Sequence, residues 1–150
     1  MEITLATPEQ IKRLTEISKA AFDSDASIGA PGVGGPPGYD SESWHAQMLQ
    51  KRAIHAITVE GCLIGGLLVF RDPRYPGVME LGRIFIDPLF HRKGYGIEAI
   101  RKMELLFKDA KCWKLDTPIW NTRTKPFYEK LGYVVTRRSR EFLFFQKNMM

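Results

Sequence analysis

The sequence predicts an α/β fold, a mixed sheet covered by helices, in one domain spanning residues 1–150. Three observations carry that expectation. The stretch Glu80 to Glu104 reads as strand, glycine-bearing turn and amphipathic helix in immediate succession. Runs of β-favouring residues elsewhere are joined by short turns, as in hairpins. Two earlier segments and one later one carry apolar residues at helical spacing. The length suits a single substantial core, and no repeat or linker divides it.

Taken in order, Glu2 to Ala6 is a short strand. Thr7-Pro8-Glu9-Gln10 then marks a helix start: Thr7 can cap, Pro8 suits the first turn and Gln10 can complete a capping box. Ile11, Leu14, Ile17 and Ala21 form its buried stripe, and it ends near Phe22. Asp23 to Asp40 is too rich in glycine and proline for helix or central strand. A loop this long is either functional or disordered. A substrate lid carrying Tyr39 and a plain mobile loop both remain open. A second helix begins at Asp40 or Ser41 and runs through Trp44 and Met48 to Lys51, with Trp44 a packing anchor or a substrate wall.

Ala53 to Val59 and Cys62 to Arg71 form a hairpin about Glu60-Gly61, where Gly65-Gly66 marks a bulge or a close contact. The turn Arg74 to Gly77 leads into the central strand, whose apolar run Leu81, Ile84, Phe85, Ile86 ends at Asp87-Pro88. Ile100, Met103 and Phe107 give the following helix its apolar face. Cys112 to Thr117 is the next strand. Thr124 can cap a short helix from Lys125 to Leu131, with Pro126 in its first turn and Gly132 stopping it. Tyr133 to Thr136 and Glu141 to Gln146 close the chain as a hairpin.

The chemistry concentrates at His91-Arg92-Lys93-Gly94-Tyr95-Gly96. Glycines let the backbone turn tightly and approach a ligand. The free N–H groups of a helix start, with the helix dipole behind them, favour an anion. Arg92 and Lys93 add charge. The expected ligand is a phosphate or pyrophosphate held mostly by main chain; the plain alternative is a tight strand-to-helix connection.

Composition limits the rest. Hydrophobic content of 44% with 26% charged residues describes a soluble globular chain. No secretory pattern or membrane-length apolar run is present, so a cytoplasmic protein is expected. Cys62 and Cys112 are expected to be buried free thiols. No residues stand at metal-ligand spacing, so no metal is expected, and His45 reads as a surface or packing histidine. A net charge of +5 attracts anions, whether phosphorylated cofactor or nucleic acid, or is merely a solvated basic surface. Its densest run, Arg137-Arg138-Ser139-Arg140, reads as a solvated turn.

This order of elements, with these motifs, resembles the GNAT superfamily of N-acetyltransferases over essentially the whole chain. The family pattern Gln/Arg-X-X-Gly-X-Gly/Ala follows a strand ending Val/Ile-X-Pro; here Ile86-Asp87-Pro88 precedes Gly94 and Gly96, with His91 replacing the usual Gln or Arg. A second block, Asn121 followed by Phe127-Tyr128-Glu129-Lys130-Leu131-Gly132-Tyr133, matches the family's Asn…Phe-Tyr-Glu-Lys-Leu-Gly pattern. Thr124 and Pro126 depart from it. The resemblance implies a mixed, mostly antiparallel sheet of about seven strands flanked by about four helices, with its central strands splayed.

It further implies acetyl-CoA as co-substrate, without a metal, and an amine acceptor. The turn from His91 through Arg92, Lys93, Gly94, Tyr95 and Gly96 to Ile97 would cradle the pyrophosphate. Asn121 would orient the cofactor or the backbone at the strand opening, Phe127 would be a further cofactor contact, and Lys130 would meet a phosphate of the coenzyme or be a solvated lysine. The edge at Ile84, Phe85 and Ile86 would pair with the pantetheine arm, and an N–H near Phe85 or Ile86 would polarise the thioester carbonyl. Tyr128 would protonate the departing thiolate. Glu80 is the first candidate base, with Asp116 in reserve. Regular alternation would put Glu80 on the face of Gly82, Ile84 and Ile86; a bulge would change that. Phe22, Tyr39, Trp44, Phe85 and Trp120 could wall the acceptor site.

Two other classes stay open: a non-catalytic acyl-CoA-binding or sensing domain, and a basic nucleic-acid-binding module, against which no basic stripe interleaves with aromatics. A homodimer is compatible with the sequence. The acceptor amine is not legible in it.

Overall fold

The computed structural model of the chain describes residues 1–150. Seven strands, β1 (Glu2–Leu5), β2 (Ile54–Val59), β3 (Cys62–Arg71), β4 (Val78–Ile86), β5 (Cys112–Pro118), β6 (Val134–Arg138) and β7 (Phe142–Asn148), form one open sheet ordered β1-β2-β3-β4-β5-β7-β6. Neighbours are antiparallel except β4 and β5. Those two run parallel because the chain returns between them through a helix. That helix is α3 (Tyr95–Leu106); the others are α1 (Ile11–Asp23), α2 (Glu42–Gln50) and α4 (Thr124–Lys130).

Alternation along the strands supplies two cores. On one face Leu14 and Ile17 of α1 and Met48 of α2 bury against Leu68 and Phe85. On the other, Ile100 and Met103 of α3 and Tyr128 of α4 bury against Leu67, Leu81, Trp113 and Phe145. Each such side chain stabilises the fold by about 1.5–3 kcal/mol through area removed from water.

The helix starts follow their sequence signals with local corrections. Gln10 Oε1 accepts from the Thr7 N–H at 3.0 Å, but Pro8–Gln10 winds as a 3₁₀ turn before α1 begins. Ser41 Oγ accepts from the Trp44 N–H at 3.1 Å and caps α2. Thr124 does not cap α4: it is the first helical residue, and its hydroxyl lies 3.0 Å from both Thr117 Oγ1 and the Asn121 carbonyl. The segment after α1 is not all loop, since Asp23 completes the helix and Ser24–Ile28 forms a 3₁₀ turn. Phe107 lies just beyond α3 and packs edge-on against Trp113. Cys112 is buried, but Cys62 is exposed, because it opens β3 directly after the Glu60-Gly61 turn, where nothing covers the strand end.

Two bulges shape the central sheet. In β3 Ile64 is the extra residue, since Ile57 faces Gly65 while Thr58 faces Leu63. The adjacent Gly65 is in close contact as well: a Cβ there would strike the Phe85 carbonyl. In β4 Gly82 is the extra residue, because Leu68 faces Arg83 while Val69 faces Leu81.

Candidate active site

The site begins where the sheet comes apart. β4 and β5 pair only at Val78–Cys112, Met79–Trp113 and Glu80–Lys114, although β4 continues to Ile86 and β5 to Pro118. Beyond Glu80, β4 therefore has an open edge toward β5. The direction of its main-chain groups follows from the β3 side. The Asp87 N–H donates to the Ile64 carbonyl at 2.7 Å, and Gly65 faces Ile86. Antiparallel alternation then turns the main chain of Phe85 toward β3 and the N–H groups of Ile84 and Ile86 into the gap. Phe85 thus drops out as a main-chain donor to a ligand.

The gap leads to the β4–α3 turn. Arg92 (φ +62) and Gly94 (φ +78) both take the left-handed backbone region, folding the chain sharply before α3. The N–H groups of Arg92, Lys93, Gly94, Tyr95, Gly96 and Ile97 donate to no carbonyl or side chain of the protein; the first helical bond is Glu98 N–H to Gly94 O at 3.1 Å. Six consecutive free donors at a helix start make a candidate anion cradle, with Arg92 and Lys93 exposed beside it. A Cβ at Gly94 would meet open space. The one nearby buried carboxylate, Asp87, faces inward, accepting from Leu89 N–H at 3.0 Å and from Arg13 at 3.1 Å. His91 is also turned back: its Nε2–H donates to the Ile86 carbonyl at 2.6 Å. It braces the strand end rather than reaching into the cradle.

The second motif meets the first through a close contact. A Cβ on Gly96 would lie 3.2 Å from the Phe127 ring, so glycine there lets α4 press against the turn. Phe127 stacks edge-on against Tyr128 at 4.9 Å. Tyr128 is buried, its ring against Tyr133 and Phe145, and its hydroxyl makes no hydrogen bond to the protein. Burial pushes that hydroxyl well above the usual phenol range, so it stays protonated and able to donate. Asn121 Oδ1 accepts from the Arg123 N–H at 3.1 Å, shaping the turn between β5 and α4. Lys130 is exposed at the end of α4.

The Gly82 bulge reverses strand parity, as the sequence allowed. Glu80 faces Phe70 and shares the α1–α2 side of the sheet with Arg83 and Phe85, while Ile84 and Ile86 point to the α3–α4 side. Lys114, opposite Glu80, and Asp116, two residues on, also lie on the α1–α2 side. Glu80 is held above the ordinary carboxylate range by desolvation and then by the charges of Asp116 and Asp72, against which Lys114 works. Asp116 is raised by desolvation. The two candidate bases thus stand on neighbouring strands at the mouth of the gap.

Above that face runs the segment between α1 and α2. Phe22 packs against Tyr39 and Phe85, and His45 stands between Trp44 and Phe85. Trp120 is not part of this aromatic group; its carbonyl instead faces Gly29. Tyr39 donates to Asp23 at 2.8 Å. Arg83, which the sequence reading passed over, sits beneath. Its guanidinium lies 4.2 Å from the Trp44 ring centre and donates to the Pro37 carbonyl, while its buried Nη1 has no protein partner. Burial lowers its pKa to about 10. The signal was present as a lone charge inside an apolar strand run. Arg13, which ties α1 to Asp87, was also missed, because a helix-surface arginine carries no such signal.

Comparison with known proteins bears on this geometry. Residues 14–133 match the model of the Acetyltransferase (GNAT) family. No curated protein matches the sequence significantly. Among solved structures, a GNAT-family acetyltransferase from Streptococcus agalactiae is similar with a TM-score of 0.86 at 18% identity, covering 99% of this chain and 95% of that one. The PaiA N-acetyltransferase of Thermoplasma acidophilum, solved with coenzyme A, has a TM-score of 0.75 at 19% identity over 99% of this chain and 98% of its own. An acetyltransferase from Thermus thermophilus has a TM-score of 0.80 at 11% identity, covering 99% of this chain and 96% of that one. At these identities the likenesses concern the fold.

Proposed function

Because the chain belongs to the GNAT acetyltransferase family, we propose that it is an acetyl-CoA-dependent N-acetyltransferase acting on a primary amine by direct attack in a ternary complex. The observation that carries this is the run of six unpaired N–H groups, Arg92 to Ile97, at the end of an unpaired strand edge. These residues fit the coenzyme: main-chain donors and two cations suit a pyrophosphate, and a free edge suits an amide-bearing arm.

Acetyl-CoA, when bound, supplies an activated acyl group as a thioester. The protein's part is positioning first, since holding amine and thioester together removes much of the entropic barrier. The N–H groups of Ile84 and Ile86 line the gap as donors for the arm and for the oxygen on which negative charge develops. Glu80, with Asp116 beside it, takes the proton that the attacking nitrogen sheds as its bond to the acyl carbon forms. The Tyr128 hydroxyl donates to the sulfur as the carbon–sulfur bond breaks, and solvent restores its proton. The products are an amide and a free thiol.

Calorimetric titration with coenzyme A, followed by an acetyl-CoA thiol-release screen over amines and peptides, tests the reading. Saturable binding with acceptor-dependent release supports it. Binding without release on any acceptor would convert the reading to a sensing domain, and no binding would end it.

A further inference from the structure

We propose that Arg83 is the specificity residue of the acceptor side, receiving a carboxylate on the acceptor, so that the preferred substrates are small amino carboxylates rather than simple amines or polyamines. This rests on the acetyltransferase reading and names the substrate class it left open.

The first ground is an imbalance. The ion pairs of this chain join Arg13 to Glu16 and Asp87, Lys19 to Asp23, Arg71 to Asp109, Lys147 to Glu104 and the N-terminus to Glu98; Arg83 has none. A guanidinium carries five donors. This one has a single hydrogen-bonded protein partner, a neutral carbonyl, and Nη1 is buried with nothing to donate to. A partly buried cation without an anion is costly, and a ligand carboxylate removes that cost.

The second ground is placement. Arg83 lies between Glu80 and Ile84 in sequence and shares the sheet face of Glu80. At about 3.3 Å per residue along a strand, Glu80 and Arg83 stand about 10 Å apart at most along the main chain, a separation that one small molecule can bridge. The amine end belongs near Glu80 and Asp116, whose negative charges repel a carboxylate. The carboxylate end then belongs at Arg83. A polyamine would instead press its second cation against Arg83, a built-in penalty against it.

The third ground is preorganisation. The guanidinium carbon lies over the Trp44 ring, 4.2 Å from its centre, a contact that limits the movement of the group. A planar fork held in this way suits bidentate recognition of a carboxylate. A carboxylate can accept two parallel bonds from the fork where the Pro37 carbonyl accepts one, and it brings the opposite charge, so an incoming carboxylate exchanges favourably for that carbonyl.

The test pairs each amino acid in an acceptor panel with its amide and its decarboxylated amine, in wild type, Arg83→Met and Arg83→Lys. Methionine conserves volume beside Trp44, so the fold is retained. The expected result is at least a tenfold higher kcat/KM for the carboxylate member in wild type. Arg83→Met should erase that preference by raising KM for the carboxylate member far more than for its neutral partners, with coenzyme A affinity unchanged, and Arg83→Lys should restore part of it. Equal or better use of the neutral members by wild type, or equal losses for both in Arg83→Met, overturns the proposal while leaving the acetyltransferase reading intact. If no acceptor is acetylated, titration of N-acetyl amino acids onto the coenzyme A complex decides. Saturable binding that Arg83→Met abolishes supports the proposal; its absence overturns it.

Discussion

Glu80 and Lys114 are the last residues to face each other across β4 and β5, and the strands separate immediately beyond them. One residue thereby closes the paired part of the sheet and stands at the mouth of the candidate site. The Gly82 bulge lies just past this point and turns the rest of β4, so that Ile84 and Ile86 line the α3–α4 side while Arg83 and Phe85 stay with Glu80. In the proposed reaction, coenzyme and acceptor approach the same strand from different sides. The cost is a stretch of unpaired backbone in the middle of a sheet, tolerable only where a ligand or water satisfies it.

The carboxylates at this junction give a signed pH prediction. Glu80 must be ionised to accept a proton, so kcat/KM should rise with pH along a limb lying above the ordinary carboxylate range. Asp116→Asn removes a negative charge that raises Glu80 and should move the limb to lower pH. Lys114→Met removes the opposing cation and should move it to higher pH. Glu80→Gln should abolish the limb and lower turnover by about 10²–10⁴-fold, the range for a positioned base. Stability runs the other way. Both carboxyls are raised in the folded chain, so their contribution is present below the ordinary carboxylate pKa and is lost as pH rises through the raised values. Melting curves of Glu80→Gln across that window should be flatter than wild type. A limb unchanged in Glu80→Gln would remove Glu80 as the base.

Much of this was legible in the chain because it depends on local chemistry. The strand ends at Ile86 ahead of Asp87-Pro88, where proline has no N–H to give the ladder, and Ser41 and Gly132 mark helix boundaries through their own backbone preferences. The cradle was legible for the same reason, since a glycine-bearing helix start exposes its donors without help from distant residues. What stayed hidden depends on partners. The Gly82 bulge is a matter of register with Leu68 and Val69, and a glycine inside a strand does not reveal which pairing it interrupts. The inward turn of His91 needs the Ile86 carbonyl in place. Arg83 could be seen as a charge in an apolar run, but its orphaned Nη1 exists only once α2 and the Pro37 turn close over it.

Tyr128→Phe separates chemistry from structure unusually well. The hydroxyl has no protein hydrogen bond to lose, and the ring is held by Phe127, Tyr133 and Phe145 through its edges and faces. The melting temperature should therefore be unchanged or slightly higher, and coenzyme A affinity unchanged. Turnover should fall by about 10²-fold or more if the hydroxyl donates to the sulfur. Unaltered turnover in steady-state assays would remove Tyr128 from that role.

Two helices end in the same hydrogen-bond pattern with different residues at its critical position. After α4, Gly132 (φ +95) donates to Glu129 and Tyr133 donates to Tyr128; after α2, Arg52 (φ +56) donates to Leu49 and Ala53 donates to Met48. Both are left-handed helix stops, which favour glycine. Arg52→Gly should therefore stabilise the fold by about 0.5–1 kcal/mol, and Gly132→Ala should destabilise it by about 1–2 kcal/mol. Denaturant titration reads both, and a destabilised Arg52→Gly would mean that its side chain supplies contacts outweighing the backbone strain.

The contact between Gly96 and Phe127 predicts a coupling that neither motif shows alone. A methyl group at position 96 would lie 3.2 Å from the ring, tighter than ordinary van der Waals contact, so Phe127 must move. Phe127 stacks on Tyr128, and displacing it carries α4 and the candidate acid away from the gap. Gly96→Ala should therefore lower turnover as well as coenzyme A affinity, although alanine is favourable inside a helix. Phe127→Leu opens the space that the new methyl group needs. The double variant should then recover affinity relative to Gly96→Ala, with a coupling energy of about 0.5–3 kcal/mol, the range for residues in contact. Gly94→Ala is the control: its Cβ meets nothing, so its cost of about 1–2 kcal/mol from the left-handed backbone should not respond to Phe127→Leu. Calorimetry on the four variants of the Gly96–Phe127 cycle measures the coupling directly. Strict additivity would show that the two motifs are joined by the fold alone and not by this contact.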